Sequence, residues 1–235
     1  MGSRPPVGVP APRADARRRS PSIPEGAQVI IVLTGPTGSG KTELLHRLAA
    51  HGEQILDLER LAKHRGSAFG NLDGTPQPSH REFQSAVRHI LAHSTRTQPL
   101  WVEDEGEYIG SVGLPPELNT ALRTAPCVEV REPRLEDRVT RIVRDYRHHP
   151  IAAWHRALDR ITPRLGTTRA CRVRAALDAG DLATAVASLL TYYDAGYAHR
   201  AGRLNRATLG TVTSSDVATA TALARASTPD RPRPS

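Results

Sequence analysis

The chain has 235 residues, 38% hydrophobic and 24% charged, which is enough for one α/β domain with a real core. Its net charge of +8 rests on arginine, lysine occurring only at Lys41 and Lys63, and favours polyanionic partners such as tRNA or multiply phosphorylated substrates. No apolar run spans a membrane, the basic N-terminus lacks a secretion signal's apolar stretch, and Cys127 and Cys171 form neither a CxxC nor a metal-ligand spacing; a cytoplasmic protein is expected.

Residues 1–27, rich in Pro, Arg and Ser, read as a disordered basic tail. Val29–Leu33 is a β-branched apolar run with the composition of a buried parallel strand. Directly after it, Gly35, Pro36, Thr37, Gly38, Ser39, Gly40, Lys41 and Thr42 satisfy G-x-x-x-x-G-K-[ST], the phosphate-binding loop. Leu44, Leu45, Leu48 and Ala49 then recur at helical spacing, with Gly52 as a stop. Strand, glycine turn and helix are the context that the motif requires. The glycines let successive N–H groups face one centre, and the helix N-terminus adds partial positive charge. Lys41 is placed to reach the terminal phosphates and Thr42 to ligate Mg²⁺.

Further along, Gln54–Leu58 reads as a second strand. Its Asp57 and Glu59 either order a substrate hydroxyl or, for Asp57, cap the next helix. His64–Gly70 combines two glycines, Gly66 and Gly70, with Arg65, Ser67 and Phe69, a composition suited to close approach of a ligand, with Arg65 as a phosphate clamp. Ser79 to Glu82 forms a capping box ahead of an amphipathic helix. Leu100–Glu103 is an apolar strand running into acids, the pattern of a second phosphate-site motif. Asp104 takes the metal role in this reading, with Glu105 or Glu103 as general base or supporting group. Cys127–Val130 and Thr208–Val212 complete five strands. Between these two lie helices at about 134–147, 151–161, 169–179 and 182–193. On the first, Arg134, Arg138 and Arg141 continue a line from Arg131: a solvated face, or a source of an arginine closing over a diphosphate. The expected fold is therefore an α/β P-loop NTPase, a doubly wound parallel sheet with a helical insertion at about 134–200, the domain covering 28–225 and a second disordered tail covering 226–235.

The phosphate loop, Leu56-Asp57-Leu58-Glu59, His64–Gly70, Gln77-Pro78-Ser79 with Phe83, and Glu103-Asp104-Glu105 with Ile109-Gly110 occur in one order. Arg138 with Tyr146, Arg164-Leu165-Gly166 with Arg169, and Tyr192-Tyr193-Asp194 with Tyr197 follow. Together they resemble the C-terminal domain of bacterial tRNA 2-selenouridine synthase over roughly residues 28–220. The resemblance implies a domain that binds a diphosphate or nucleotide (ATP, GTP or geranyl diphosphate) with Mg²⁺ and helps to hold tRNA. In that family the sulfur of wobble 2-thiouridine is replaced by selenium from selenophosphate through an S-geranylated intermediate. A rhodanese-like domain supplies the essential cysteine. Only about 28 residues precede the first strand here, so a separately encoded rhodanese-like partner is expected. Asp194-Ala195-Gly196-Tyr197 departs from the family's usual Asp-Pro-Met-Tyr. A small-molecule kinase and a nucleotide-gated, non-catalytic adaptor remain the alternatives.

Overall fold

The computed structural model describes residues 28–204 and 206–227. In chain order they form β1 (Ile30–Thr34), α1 (Lys41–Ala50), β2 (Gln54–Leu56), α2 (Leu58–Ala62) and α3 (His80–His93). Next come β3 (Leu100–Glu103), β4 (Tyr108–Ile109), β5 (Val112–Gly113), α4 (Pro116–Thr124) and β6 (Cys127–Val130). Four helices follow, α5 (Leu135–Tyr146), α6 (Ile151–Leu165), α7 (Thr167–Asp178) and α8 (Leu182–Ala201), before β7 (Thr208–Val212) and α9 (Val217–Ser227).

Five strands pair in the order β2-β3-β1-β6-β7, every pair parallel, so the expected doubly wound sheet is present. Successive side chains of a strand face opposite sides of the sheet, and each side here has its own helices. Ile31, Leu33, Trp101, Val128 and Val130 meet Leu44, Leu45 and Leu48 of α1 and Ala220 of α9 on one face. Val32, Leu100, Val102 and Cys127 meet Phe83 and Val87 of α3 and Leu118 of α4 on the other. A third core lies within α5–α8, around Trp154, Leu158, Val173 and Leu189, and takes in Phe69 and Leu72 from the segment after α2.

Local chemistry sets the element ends. The second strand stops at Leu56, two residues earlier than its apolar run predicts, because Asp57 turns to cap α2 and accepts the Arg60 N–H at 2.8 Å. Ser79 and Glu82 form the expected reciprocal capping box. Helix α8 outruns its predicted end at Tyr193, continuing through Ala195-Gly196, where Asp194 is held by Arg138 of α5 and Tyr197 and Arg200 are bound to Thr34 and Asp104 at the sheet. The β4–β5 hairpin, α4 and α9 have no counterpart among the predicted elements. Ala226 and Ser227 close α9; the rest of the expected C-terminal tail, and the whole of the N-terminal one, lie outside the described residues.

Trp154 is 2% exposed, and its ring lies 5.4 Å from Phe69 and 6.0 Å from Tyr146. Trp154→Ala should therefore cost about 3–5 kcal/mol of stability in urea denaturation. A loss below about 1 kcal/mol would be incompatible with this packing.

Candidate functional site

The phosphate loop leaves β1 at the centre of the sheet. Gly35 (φ +144°) has the Val130 carbonyl where a Cβ would stand, and Gly40 (φ +94°) has Ser214 in that place, so neither position tolerates a side chain. Lys41 Nζ donates to the Gly35 and Pro36 carbonyls at 2.9 and 3.2 Å, which holds the ammonium at the mouth of the loop. From behind, α5 grips the loop by its carbonyls. Arg138 donates to Thr37 O from Nε (2.9 Å) and Nη2 (2.7 Å), and Arg141 Nη1 donates to Gly38 O at 2.6 Å. The same Arg138 guanidinium makes a bidentate pair with Asp194 of α8 at 2.6 and 3.0 Å. Arg138, expected as a phosphate clamp, is buried and spends these contacts on positioning the loop.

Strand alternation separates the acids that end β3. Glu103 shares the face of Trp101 and of α1, and the Thr42 hydroxyl and Lys41 both act on its carboxylate. It is 3% exposed, and among the described residues its Oε1 has no hydrogen-bond partner. Glu59 of α2 and Glu105 join it, with carboxylate oxygens from the three residues all within 4.8 Å of one another. Burial pushes all three carboxyls up. The Glu103 and Glu105 charges push Glu59 further, and Glu105, facing Glu103, reaches about 7. Hard carboxylate oxygens, one of them buried and unpartnered, beside a threonine hydroxyl and a phosphate loop form a donor set that fits Mg²⁺.

Asp104 points to the opposite face. Arg206 Nη1 reaches Oδ1 at 2.8 Å, Thr34 donates to Oδ2 at 3.2 Å and Arg200 approaches Oδ2 at 3.5 Å. Tyr197 hydrogen-bonds Thr34 at 3.3 Å, which extends this network to α8. The structure therefore gathers Lys41, Thr42 and Glu105 with Glu103 and Glu59, and places Asp104 outside that group.

Over the acids lies the His64–Gly70 loop. A Cβ on Gly66 would stand 2.6 Å from Glu105 Oε2, so the backbone covers that carboxylate closely. The Arg65 guanidinium stacks 4.9 Å above the Tyr146 ring and lies 3.7 Å from Asp145, half exposed at the rim. Ser67 Oγ accepts the Phe69 N–H at 3.2 Å and fixes the turn. Between this loop and the insertion is a cavity of about 60 Å³. Thr37 and Ser67 stand in its wall; Phe69, Ile142, Tyr146 and Trp154 with Val186, Leu189, Leu190 and Tyr193 of α8 make the rest almost wholly apolar. Among the described residues the buried Trp154 Nε1–H has no acceptor. Of the cysteines, Cys127 is buried in β6, where desolvation pushes its thiol up, and Cys171 is exposed on α7.

The raised Glu105 carboxyl has a thermodynamic consequence in the metal-free protein. Below the ordinary glutamate value of 4.5 both folded and unfolded chains hold the proton; from there to about 7 only the folded chain keeps it. Glu105 thus stabilises the fold at low pH relative to high, and that contribution is lost as pH rises through about 7. Glu105→Gln should gain on the wild type by on the order of 2 kcal/mol between pH 4 and 8, discounted for partial exposure. Thermal midpoints of the two proteins across that range test it; a constant difference would remove the shift.

Comparison with known proteins places these residues in a lineage. The tRNA 2-selenouridine synthase of Nitrosomonas europaea is 43% identical over 120 residues, 50% of this chain and 30% of that protein. The enzyme of the same name from Hahella chejuensis is 44% identical over 131 residues, 54% of this chain and 33% of that protein. For Cupriavidus pinatubonensis the match is 36% over 170 residues, covering 64% of this chain and 45% of the relative. The chain thus spans less than half the length of these curated relatives. The profile of the tRNA 2-selenouridine synthase AAA domain, however, matches residues 28–227, taking in the sheet, the phosphate loop and the helical insertion alike, and it is to this family that the chain belongs.

Proposed function

We propose that this domain binds geranyl diphosphate, its diphosphate on residues 35–42 and its prenyl chain against α8. In this reading it acts on wobble 2-thiouridine of tRNA together with a rhodanese-like partner. The observation that carries the reading is the apolar cavity beside Thr37: a phosphate loop opening onto aromatic and aliphatic walls suits a ligand that is a diphosphate at one end and hydrocarbon at the other. A ten-carbon chain would lie along these walls, with Tyr146 and the α8 leucines adjusting around it.

The residues divide the work. Thr42 and Glu103 would hold Mg²⁺, which when bound neutralises diphosphate charge, while Lys41 and the loop N–H groups meet the remaining oxygens. The base sulfur forms a bond to the first prenyl carbon as the carbon–oxygen bond breaks, and that electron pair leaves on the diphosphate. Glu105, with its carboxyl raised to about 7, is suited to take the proton that the alkylated base gives up. Arg65 lies at the rim, where it would close on the phosphates. The thiol for selenium exchange is assigned to the rhodanese-like partner, since Cys127 is buried and protonated. A nucleotide-dependent kinase is the second reading, favoured by the carboxylates beside Lys41 and Thr42, which equally suit MgATP or MgGTP.

Calorimetry with pyrophosphate, ATP, GTP and geranyl diphosphate in the presence of Mg²⁺ separates these readings. Geranyl diphosphate should bind at least about tenfold more tightly than pyrophosphate, and Val186→Phe, which fills the cavity, should remove that margin alone. Lys41→Ala should weaken every phosphorylated ligand by about thirtyfold or more. Equal affinity for geranyl diphosphate and pyrophosphate, with turnover of ATP or GTP, would transfer the assignment to the kinase reading.

A further inference from the structure

The insertion carries a charge imbalance that the phosphate site does not use. Residues 151–178 contain six arginines and two aspartates, with no lysine. Both acids have partners on one flank: Asp159 pairs with Arg174 at 2.5 Å, and Asp178 lies 2.9 Å from His155 Nε2. On the exposed side of α6, Arg156, Arg160 and Arg164 follow one another at four-residue spacing. Among the described residues, none of the three has an acidic partner within ion-pair distance. Unpaired arginines on a solvated helix ordinarily alternate with acids at this spacing; here three in succession do not.

The row also has a destination. Arg160 Nη2 donates to the Ala68 carbonyl at 2.7 Å, and its charge reaches His64. Arg164 lies close enough to act on the Tyr193 hydroxyl, which sits beside Ser67. Arg160 therefore borders the loop that covers Glu105, Arg164 acts on a side chain beside that loop, and Arg156 extends the row toward the N-terminus of α6. Four-residue steps on a helix advance about 6 Å, so a single phosphodiester strand laid along α6 meets the three charges in turn.

We infer that the exposed face of α6, Arg156-Arg160-Arg164, is the track that holds the RNA backbone and delivers a nucleotide to the His64–Gly70 loop. The inference rests on the tRNA reading above for the identity of the strand, and on the arginine row for its place. Guanidinium groups suit it, because they grip phosphate oxygens in pairs and are cheaply desolvated. Contacts of this kind position the strand without reading its sequence.

The test is fluorescence anisotropy of a labelled, unmodified tRNA transcript with the full 235-residue chain, repeated across a salt series. Arg156→Gln/Arg164→Gln should weaken binding and flatten the log–log salt slope by about 1.4 to 2, for two lost phosphate contacts. The lysine pair Arg156→Lys/Arg164→Lys should restore most of the slope. Arg81→Gln/Arg225→Gln, on α3 and α9, should leave it unchanged, and pyrophosphate binding should be the same in all four proteins. A wild-type slope in the glutamine pair, or an equal loss in the α3/α9 control, would overturn the track alone and spare the tRNA reading. Failure of the wild type to bind tRNA at all would overturn both, while the diphosphate titrations would still stand or fall separately.

Discussion

Two neighbouring acids at the end of one strand have to be buried on opposite faces of a sheet. Glu103 and Asp104 cannot share a partner, because the period of a strand is two, and an unpaired carboxylate in a protein interior is costly. Asp104 is met by Arg206, Arg200 and Thr34, a set that leaves its charge satisfied and brings the end of α8 across the sheet edge. Glu103 receives less: Lys41 and Thr42 oppose its desolvation, one oxygen stays unpartnered, and Glu59 and Glu105 crowd it with like charge. One acid is thereby paired and the other left short of partners, although the two are adjacent in sequence.

A second constraint ties the insertion to the phosphate loop. Arg138 has a foot on each side, donating to Thr37 and to Asp194, and any motion that separates α5 from α8 must break a bidentate pair before it reaches the loop. The cavity wall formed by Val186, Leu189 and Leu190 belongs to α8. The wall of the cavity and the phosphate loop are thus joined through one guanidinium, with Asp194 of the same helix at its other end.

Most of the fold was legible in the residues. Apolar runs located all five sheet strands; the three central ones, β1, β3 and β6, are buried almost throughout and have little freedom of composition, and the phosphate loop is defined by its glycines and lysine. What escaped was of two kinds. The β4–β5 hairpin has only two residues per strand, too few for any periodicity. The choice between Glu103 and Asp104 needs the face on which α1 packs, which a run of acids does not state; the parity of Trp101 with Glu103 was the available clue, and it acquires meaning only once α1 is placed. Arg138 reads in sequence as a candidate clamp on phosphate, whereas its contacts to Thr37 and to Asp194, 56 residues away, lie beyond the reach of local pattern.

The arginines behind the loop also bear on the strength of the site itself. The Thr37 carbonyl belongs to the same peptide unit as the Gly38 N–H, and the Gly38 carbonyl to the same unit as the Ser39 N–H. A guanidinium docked on each oxygen draws electron density through the conjugated amide and leaves the opposite hydrogen more positive. Arg138 and Arg141 thus act on the loop's amide hydrogens at one remove, through the carbonyls they hold.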